Sequence, residues 1–172
     1  MTERKTFISI LCLVSIALSL SACANGPKDI RVTSVSDANF LTETQLDWIS
    51  QKPRPSIVIS KIEFTTNTDL LALARKHDFN VSFRVGACSK DGVKDEVARY
   101  GGVYWHKAQI YFSTKDADVP GYAEAIAKGP YTYDVYVGKL PANPPAPLCL
   151  TLAGGNMVGG RLRSNDAIIP NP

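Results

Sequence analysis

The 172-residue chain has only two histidines, His77 and His106, and only four cysteines, none of them in a Cys-x-x-Cys pair. A zinc site needs about four nitrogen or sulfur ligands at short, characteristic spacings, so no metal site is assigned. The chain contains no G-x-S-x-G, S-x-x-K or H-E-x-x-H, the local arrangements that present an activated nucleophile or a catalytic zinc. No catalytic residue and no cofactor is therefore assigned. Asp116 with Asp118, and Asp95 with Glu96, pair carboxylates without the spacing of a calcium loop, and they read as solvated charge. Internal repeats and low-complexity tracts are missing too. Nineteen basic against sixteen acidic residues leave a net charge of +3, too small to point to nucleic acid. Beyond residue 22 no apolar run approaches the roughly 20 residues that a membrane-spanning helix requires.

Before residue 22 the chain is different. Arg4 and Lys5 form a short basic segment, and Phe7 to Leu20 form an apolar one, interrupted only by Ser9, Ser15 and Ser19. Small residues Ser21 and Ala22 follow. This is the order of a secretory signal, and an apolar stretch of about 14 residues is too short to serve as a permanent helical anchor. The sequence then reaches Leu20-Ser21-Ala22-Cys23, which resembles the lipobox of bacterial lipoprotein precursors. That resemblance covers about the first 25 residues. It implies cleavage before Cys23, a diacylglycerol on its thiol and an acyl chain on its amine. Two or more chains anchor a protein stably, at about 0.8 kcal/mol per buried methylene. In that family an Asp after the cysteine tends to retain the protein at the inner membrane. Here the residue is Ala24, which implies the outer membrane with the domain facing the periplasm, ahead of the inner membrane or the cell surface.

The expected organisation is a signal peptide over 1–22, a lipidated N-terminus and flexible tether over 23–40, and one β-rich periplasmic domain over 41–172. Loss of Arg4, Lys5 and Glu3 with the signal leaves a net charge of about +2. Cys12 departs with the signal and Cys23 takes the lipid. Cys88 and Cys149 remain, and in an oxidising compartment a Cys88–Cys149 disulfide is expected. It would close a loop of about 62 residues, which the chain-entropy model values at about 4 kcal/mol.

Periodicity predicts the elements. Residues 24–40 are polar and weakly periodic and read as tether. Thr42 to Gln45 have capping-box spacing and predict a short helix that ends before Pro53 and Pro55. Ser56 to Thr66 predicts a strand. Thr68-Asp69 predicts the cap of a helix over Leu70 to His77, with an apolar stripe of Leu70, Leu71, Leu73 and Ala74. Phe79, Val81, Phe83 and Val85 alternate with polar residues and predict a strand running into Cys88, followed by a turn over Ser89 to Gly92. Further strands are expected over Val103 to Ser113, Tyr131 to Val137, Leu148 to Leu152 and Arg161 to Ile169, with one or two helical turns over Pro120 to Lys128. Pro141 to Pro147 reads as a stiff connector. Together these predict a mainly β fold: an antiparallel β-sandwich-like domain with two or three short helices, stapled by one disulfide.

Two features bear on function. Gly154 to Gly160 followed by Arg161 has glycines suited to a phosphate loop, but no Lys-Ser/Thr and no following helix, so it reads as a glycine-rich hairpin. The aromatic clusters are the better candidates. Tyr100, Tyr104, Trp105 and Tyr136 are the expected partner-binding residues, since aromatics combine apolar area with a polar tip. On one strand Tyr131 and Tyr133 point with Val135 and Val137, whereas Tyr136 points with Thr132 and Asp134. Tyr136 is therefore the expected exposed member and Tyr131 and Tyr133 the expected core. The functional expectation is a non-enzymatic lipoprotein that binds the membrane through Cys23 and another protein through its β domain. Inhibition of a toxin or envelope enzyme is the leading role. A place in an envelope or secretion-system assembly is the alternative, with a cell-envelope-modifying enzyme third.

Overall fold

The computed structural model describes residues 23–39, 58–106, 108–115, 119, 121–122, 129–157 and 159–170. Ten strands and a helix follow in chain order: β1 (Cys23–Asn25), β2 (Arg31–Asn39), β3 (Val58–Thr66), α1 (Leu70–His77), β4 (Asn80–Ala87), β5 (Lys94–Trp105), β6 (Ala108–Gln109), β7 (Tyr131–Gly138), β8 (Leu148–Gly155), β9 (Arg161–Arg163) and β10 (Ala167–Ile168). The ladder runs β1-β9-β8-β4-β5-β7-β3-β2, with β10 beside β8 and β6 beside β5. All pairings are antiparallel except β1 with β9. The fold is thus mainly antiparallel β, as expected, and the sheet curls so that its two halves share one core.

The curl is located in β5. Its first half pairs with β4 through Ala98 and Arg99, and its second half pairs with β7 through Val103 and Tyr104. Gly101-Gly102 stands at the changeover, where a strand leaving one sheet for another needs a backbone free to bend. The first sheet is then β1, β9, β8, β4 and the start of β5, and the second is the end of β5 with β7, β3 and β2. Inward side chains of both sheets meet: Val81, Phe83, Val85, Leu150 and Leu152 from the first, and Ile62, Phe64, Val103, Tyr133 and Val135 from the second, all 5% exposed or less.

Helix α1 forms where its signals predict. Asp69 is the N-cap and accepts the Ala72 amide at 2.9 Å. Leu70, Leu71 and Ala74 are fully buried and Leu73 partly so. Arg75, Lys76 and His77 complement the dipole at the C-terminus, which ends at Asp78 with φ 53°. The predicted helices near Thr42 and over Pro120 to Lys128 lie outside the described residues, apart from Gly121 and Tyr122, and so does the signal segment.

The predicted disulfide is present, with Cys88 and Cys149 Cα atoms 5.0 Å apart. Cys149 lies on the outer face of the first sheet, paired in register with Gly86. The bond staples the chain leaving β4 to β8. Ser89 to Gly92 form the expected turn, closed by the Gly92 amide on the Ser89 carbonyl at 3.0 Å.

Residues 23–39 form strands where a flexible tether is expected. β1 pairs with β9, and β2 forms a nine-residue edge of the second sheet along β3. A bulge between Val32 and Ser34 hides the pattern: Val32 pairs with Phe64 and Val35 with Ile62, so apolar residues three apart share one face. A period-of-two reading misses that spacing. Between the two strands the chain is also fastened. The Asp29 carboxylate accepts the Thr66 hydroxyl at 2.6 Å and the Asn67 amide at 2.7 Å, bonds that draw its pKa down against the opposing effect of burial. Asn165 clamps Ile30 through two hydrogen bonds of 2.9 and 3.0 Å. Gly26 passes so close to β9 that a Cβ would lie 2.4 Å from the Arg163 carbonyl oxygen. The strand expected over Val103 to Ser113 is likewise revised. β5 starts at Lys94 and ends at Trp105, because His106, at φ 44°, turns the chain into β6.

Candidate functional site

The outer face of the second sheet carries the candidate site. Alternation in β7 buries Tyr133, Val135 and Val137 and turns Tyr136 outward. In β5 the same alternation buries Val103 and Trp105 and turns Tyr104 outward, opposite Asp134 of β7. Tyr104 and Tyr136 meet edge to face, with ring centroids 5.2 Å apart and planes at 80°. That geometry places the positive edge of one ring against the negative face of the other. Both rings are half-buried. Their flank is a shallow groove of about 220 Å³ lined by Ile59, Gly102, Tyr104, Tyr136, Val137 and Gly138. Gly102 keeps one wall low: a Cβ there would collide with the Gln109 side chain at 2.0 Å. Gln109 instead reaches across and accepts from the Tyr104 hydroxyl at 3.5 Å.

Charge lies beside the rings. Lys61 of β3 pairs in register with Tyr136, and its ammonium is 3.0 Å from Asp134 and 3.5 Å from Glu63. The Asp134 oxygen in this ion pair is buried. Burial is the largest influence on both partners and acts on them oppositely. It raises the Asp134 carboxyl, and the Lys61 charge only partly offsets this. It pulls the Lys61 amine down, but the Asp134 contact, with Glu63 and Tyr136, carries it above its ordinary value. Burial also raises both phenols; Tyr111 and Tyr136 add to this at Tyr104, and Asp134 adds to it at Tyr136 against Lys61.

Of the expected contact residues, Tyr104 and Tyr136 come together. Trp105 does not join them, and that expectation is corrected. It is 4% exposed and packs edge-to-face in the core against Tyr133, at 5.3 Å and 69°, and Tyr122, at 5.9 Å and 89°. Neighbours on a strand point to opposite faces, so Tyr104 and Trp105 cannot both be surface residues. Tyr100 lies on β5, and its side chain is outside what the structure describes. Tyr133 is core as expected, and Tyr131 is partly buried against the same cluster. Tyr133 has a second role: its hydroxyl accepts the Leu70 amide at 3.0 Å, satisfying one of the orphan donors at the start of α1. The sequence reading missed Lys61, Glu63, Asp134 and Gln109. Lys61 and Glu63 were legible as the polar partners of Ile62 and Phe64 in an alternating strand. Their proximity to Tyr136 depends on the β3–β7 register, which no local pattern specifies.

Gly154, Gly155, Gly159 and Gly160 lie in a hairpin between β8 and β9, as read, in which Asn156 and Gly160 pair through backbone and side-chain hydrogen bonds. Among the described residues no cluster of histidine, cysteine and carboxylate could hold a metal ion, and no helix is long and apolar enough to cross a membrane. No protein-family model, characterised protein or solved structure matches this chain.

Proposed function

We propose that the protein is a lipid-anchored binding lipoprotein of the bacterial envelope that captures another protein on the outer face of its second sheet. Cys23 carries the lipid, the outer membrane is its location, and the domain faces the periplasm. The observation that carries the binding role is the half-exposed Tyr104–Tyr136 pair beside the Lys61–Asp134–Glu63 cluster. Interface hot spots favour aromatics that are held rigid before binding and bordered by polar groups. These rings meet that description, being fixed by their mutual contact and by the sheet beneath them. Inhibition of a toxin or envelope enzyme suits such a surface: it offers contact area and no reactive group. The test is capture from envelope extracts, with crosslinking, by the wild type and by Tyr104→Ala and Tyr136→Ala. A partner retained by the wild type and lost by both variants supports the reading. Equal recovery by all three refutes it.

A further inference from the structure

A second cleft lies on the other sheet. It occupies about 730 Å³ on the outer face of β4, β8 and β9, within the size range of small-molecule sites. Strand alternation builds its floor. Val81, Phe83, Leu150, Leu152 and Leu162 turn inward, so their neighbours turn outward. The register sets Arg84 beside Thr151, Ala153 beside Arg163, and Gly155 beside Arg161. Small residues thus occupy the centre and arginines the border.

The arginines are incompletely neutralised. Arg161 is exposed, and among the described residues its side chain makes no hydrogen bond or ion pair. Arg163 is 3.6 Å from Asp166, and Arg84 is 3.7 Å from Glu96. At those distances the pairs are weak and leave guanidinium donors unused. The Asp166 carboxylate is further occupied by the Thr151 hydroxyl. Arg84 Nε is buried and has no hydrogen-bond partner. The Arg163 guanidinium is seated against Gly92, where a Cβ would come within 2.3 Å of its Nη2. Asp91 on the rim is the one acidic residue among the lining, and it faces Lys94 at 3.4 Å.

Three guanidiniums around a floor of small side chains match an oxyanion with several acceptor oxygens better than a neutral ligand or a cation. We propose that this cleft binds a phosphate-bearing organic anion the size of a lipid headgroup, held by Arg84, Arg161 and Arg163. Such a group could be presented by a membrane lipid or by a soluble phosphate ester. The site is separate from the Tyr104–Tyr136 face, and the proposal does not depend on whether Cys23 is acylated.

The experiment uses the full chain in neutral detergent, titrated calorimetrically with glycerol phosphate and, separately, with micelles doped with phosphatidylglycerol. Saturable heat is expected in at least one arm. Heat only with doped micelles assigns a lipid source, and heat with glycerol phosphate assigns a soluble one. Arg161→Gln, an exposed change that leaves the core intact, should weaken binding roughly tenfold, and added salt should weaken it further. Lys139→Gln, paired with Asp37 at the far sheet, should bind as the wild type does. No saturable heat in either arm, or equal binding by wild type and Arg161→Gln, overturns the proposal.

Discussion

Tyr133 and Tyr136 lie three residues apart on one strand, and the structure assigns them opposite work. Tyr133 is 1% exposed, stacks on Phe64 at 5.7 Å, meets Trp105 at 5.3 Å, and accepts the Leu70 amide at the start of α1. Truncation to alanine removes a buried ring, worth about 3–5 kcal/mol, and orphans a buried donor, worth about 1 kcal/mol more. A loss of about 4–6 kcal/mol is expected, close to the whole stability of many small domains. Tyr133→Phe separates the two contributions: the ring stays, the Leu70 amide loses its acceptor, and the cost should be about 1–2 kcal/mol. Tyr136 is half-buried on the outer face, and its clearest contact is the edge-to-face pair with Tyr104. Its truncation should cost about 1 kcal/mol. Urea unfolding of the four proteins, with the disulfide intact and m-values compared, supplies the ordering. If Tyr136→Ala is more destabilising than Tyr133→Ala, the faces of β7 are assigned the wrong way round, and the proposed binding surface falls with them.

Cys23→Ser should abolish incorporation of labelled fatty acid; a wild-type protein that incorporates none would end the lipoprotein reading. The unreduced protein should show no alkylation at Cys88 or Cys149, and replacing both by alanine should cost about 2–4 kcal/mol in denaturant unfolding. Lys61→Met should cost about 2 kcal/mol at neutral pH by leaving Asp134 charged and unpaired. The Asp134 carboxyl is already raised in the folded state, so folding takes up a proton there and the penalty should shrink as pH falls toward the ordinary aspartate range. A pH-independent penalty would show that the pair has no electrostatic role. Asp29 behaves with the opposite sign. Its folded pKa is lowered, so the stability it contributes is present at neutral pH and is lost as pH falls below its ordinary value of 3.8. Asp29→Asn should therefore flatten the acid limb of the stability curve.

Much of the fold was legible because the inner strands obey a period of two. Phe79 to Val85, Tyr131 to Val137 and Leu148 to Leu152 each announce a face, and each face is the one observed. The Asp69 cap and the leucine stripe of α1 were legible for the same reason: the local signal and the tertiary environment agree. Where the two part, the reading failed. β2 has two inward valines three residues apart, which spells neither strand nor helix until the bulge at Thr33 is known. Asp29 and Asn165 carry no periodic signal at all. They fasten the chain before β2 by hydrogen bonds to segments 37 and 135 residues distant.

The site divides along the same line. That Tyr136 faces out follows from the polar residues it alternates with. That Tyr104 stands beside it, and Trp105 beneath it, follows only once Gly101-Gly102 is known to carry β5 from one sheet to the other. Both sheets of this fold have a functional-looking outer face, and each is built from the spaces between inward-facing residues. Along β3 and β7 those spaces hold Lys61, Glu63, Asp134 and Tyr136, and the face is charged and aromatic. Along β8 and β9 they hold Thr151, Ala153, Gly155, Arg161 and Arg163, and the face is hollow and cationic. The inward residues are apolar or aromatic on both sheets, mainly Val, Leu and Phe on the first and Val, Ile, Phe and Tyr on the second. The core therefore fixes only where the outward residues stand. What each face can bind is decided by the outward half of each strand, where alternation specifies nothing beyond polar or small.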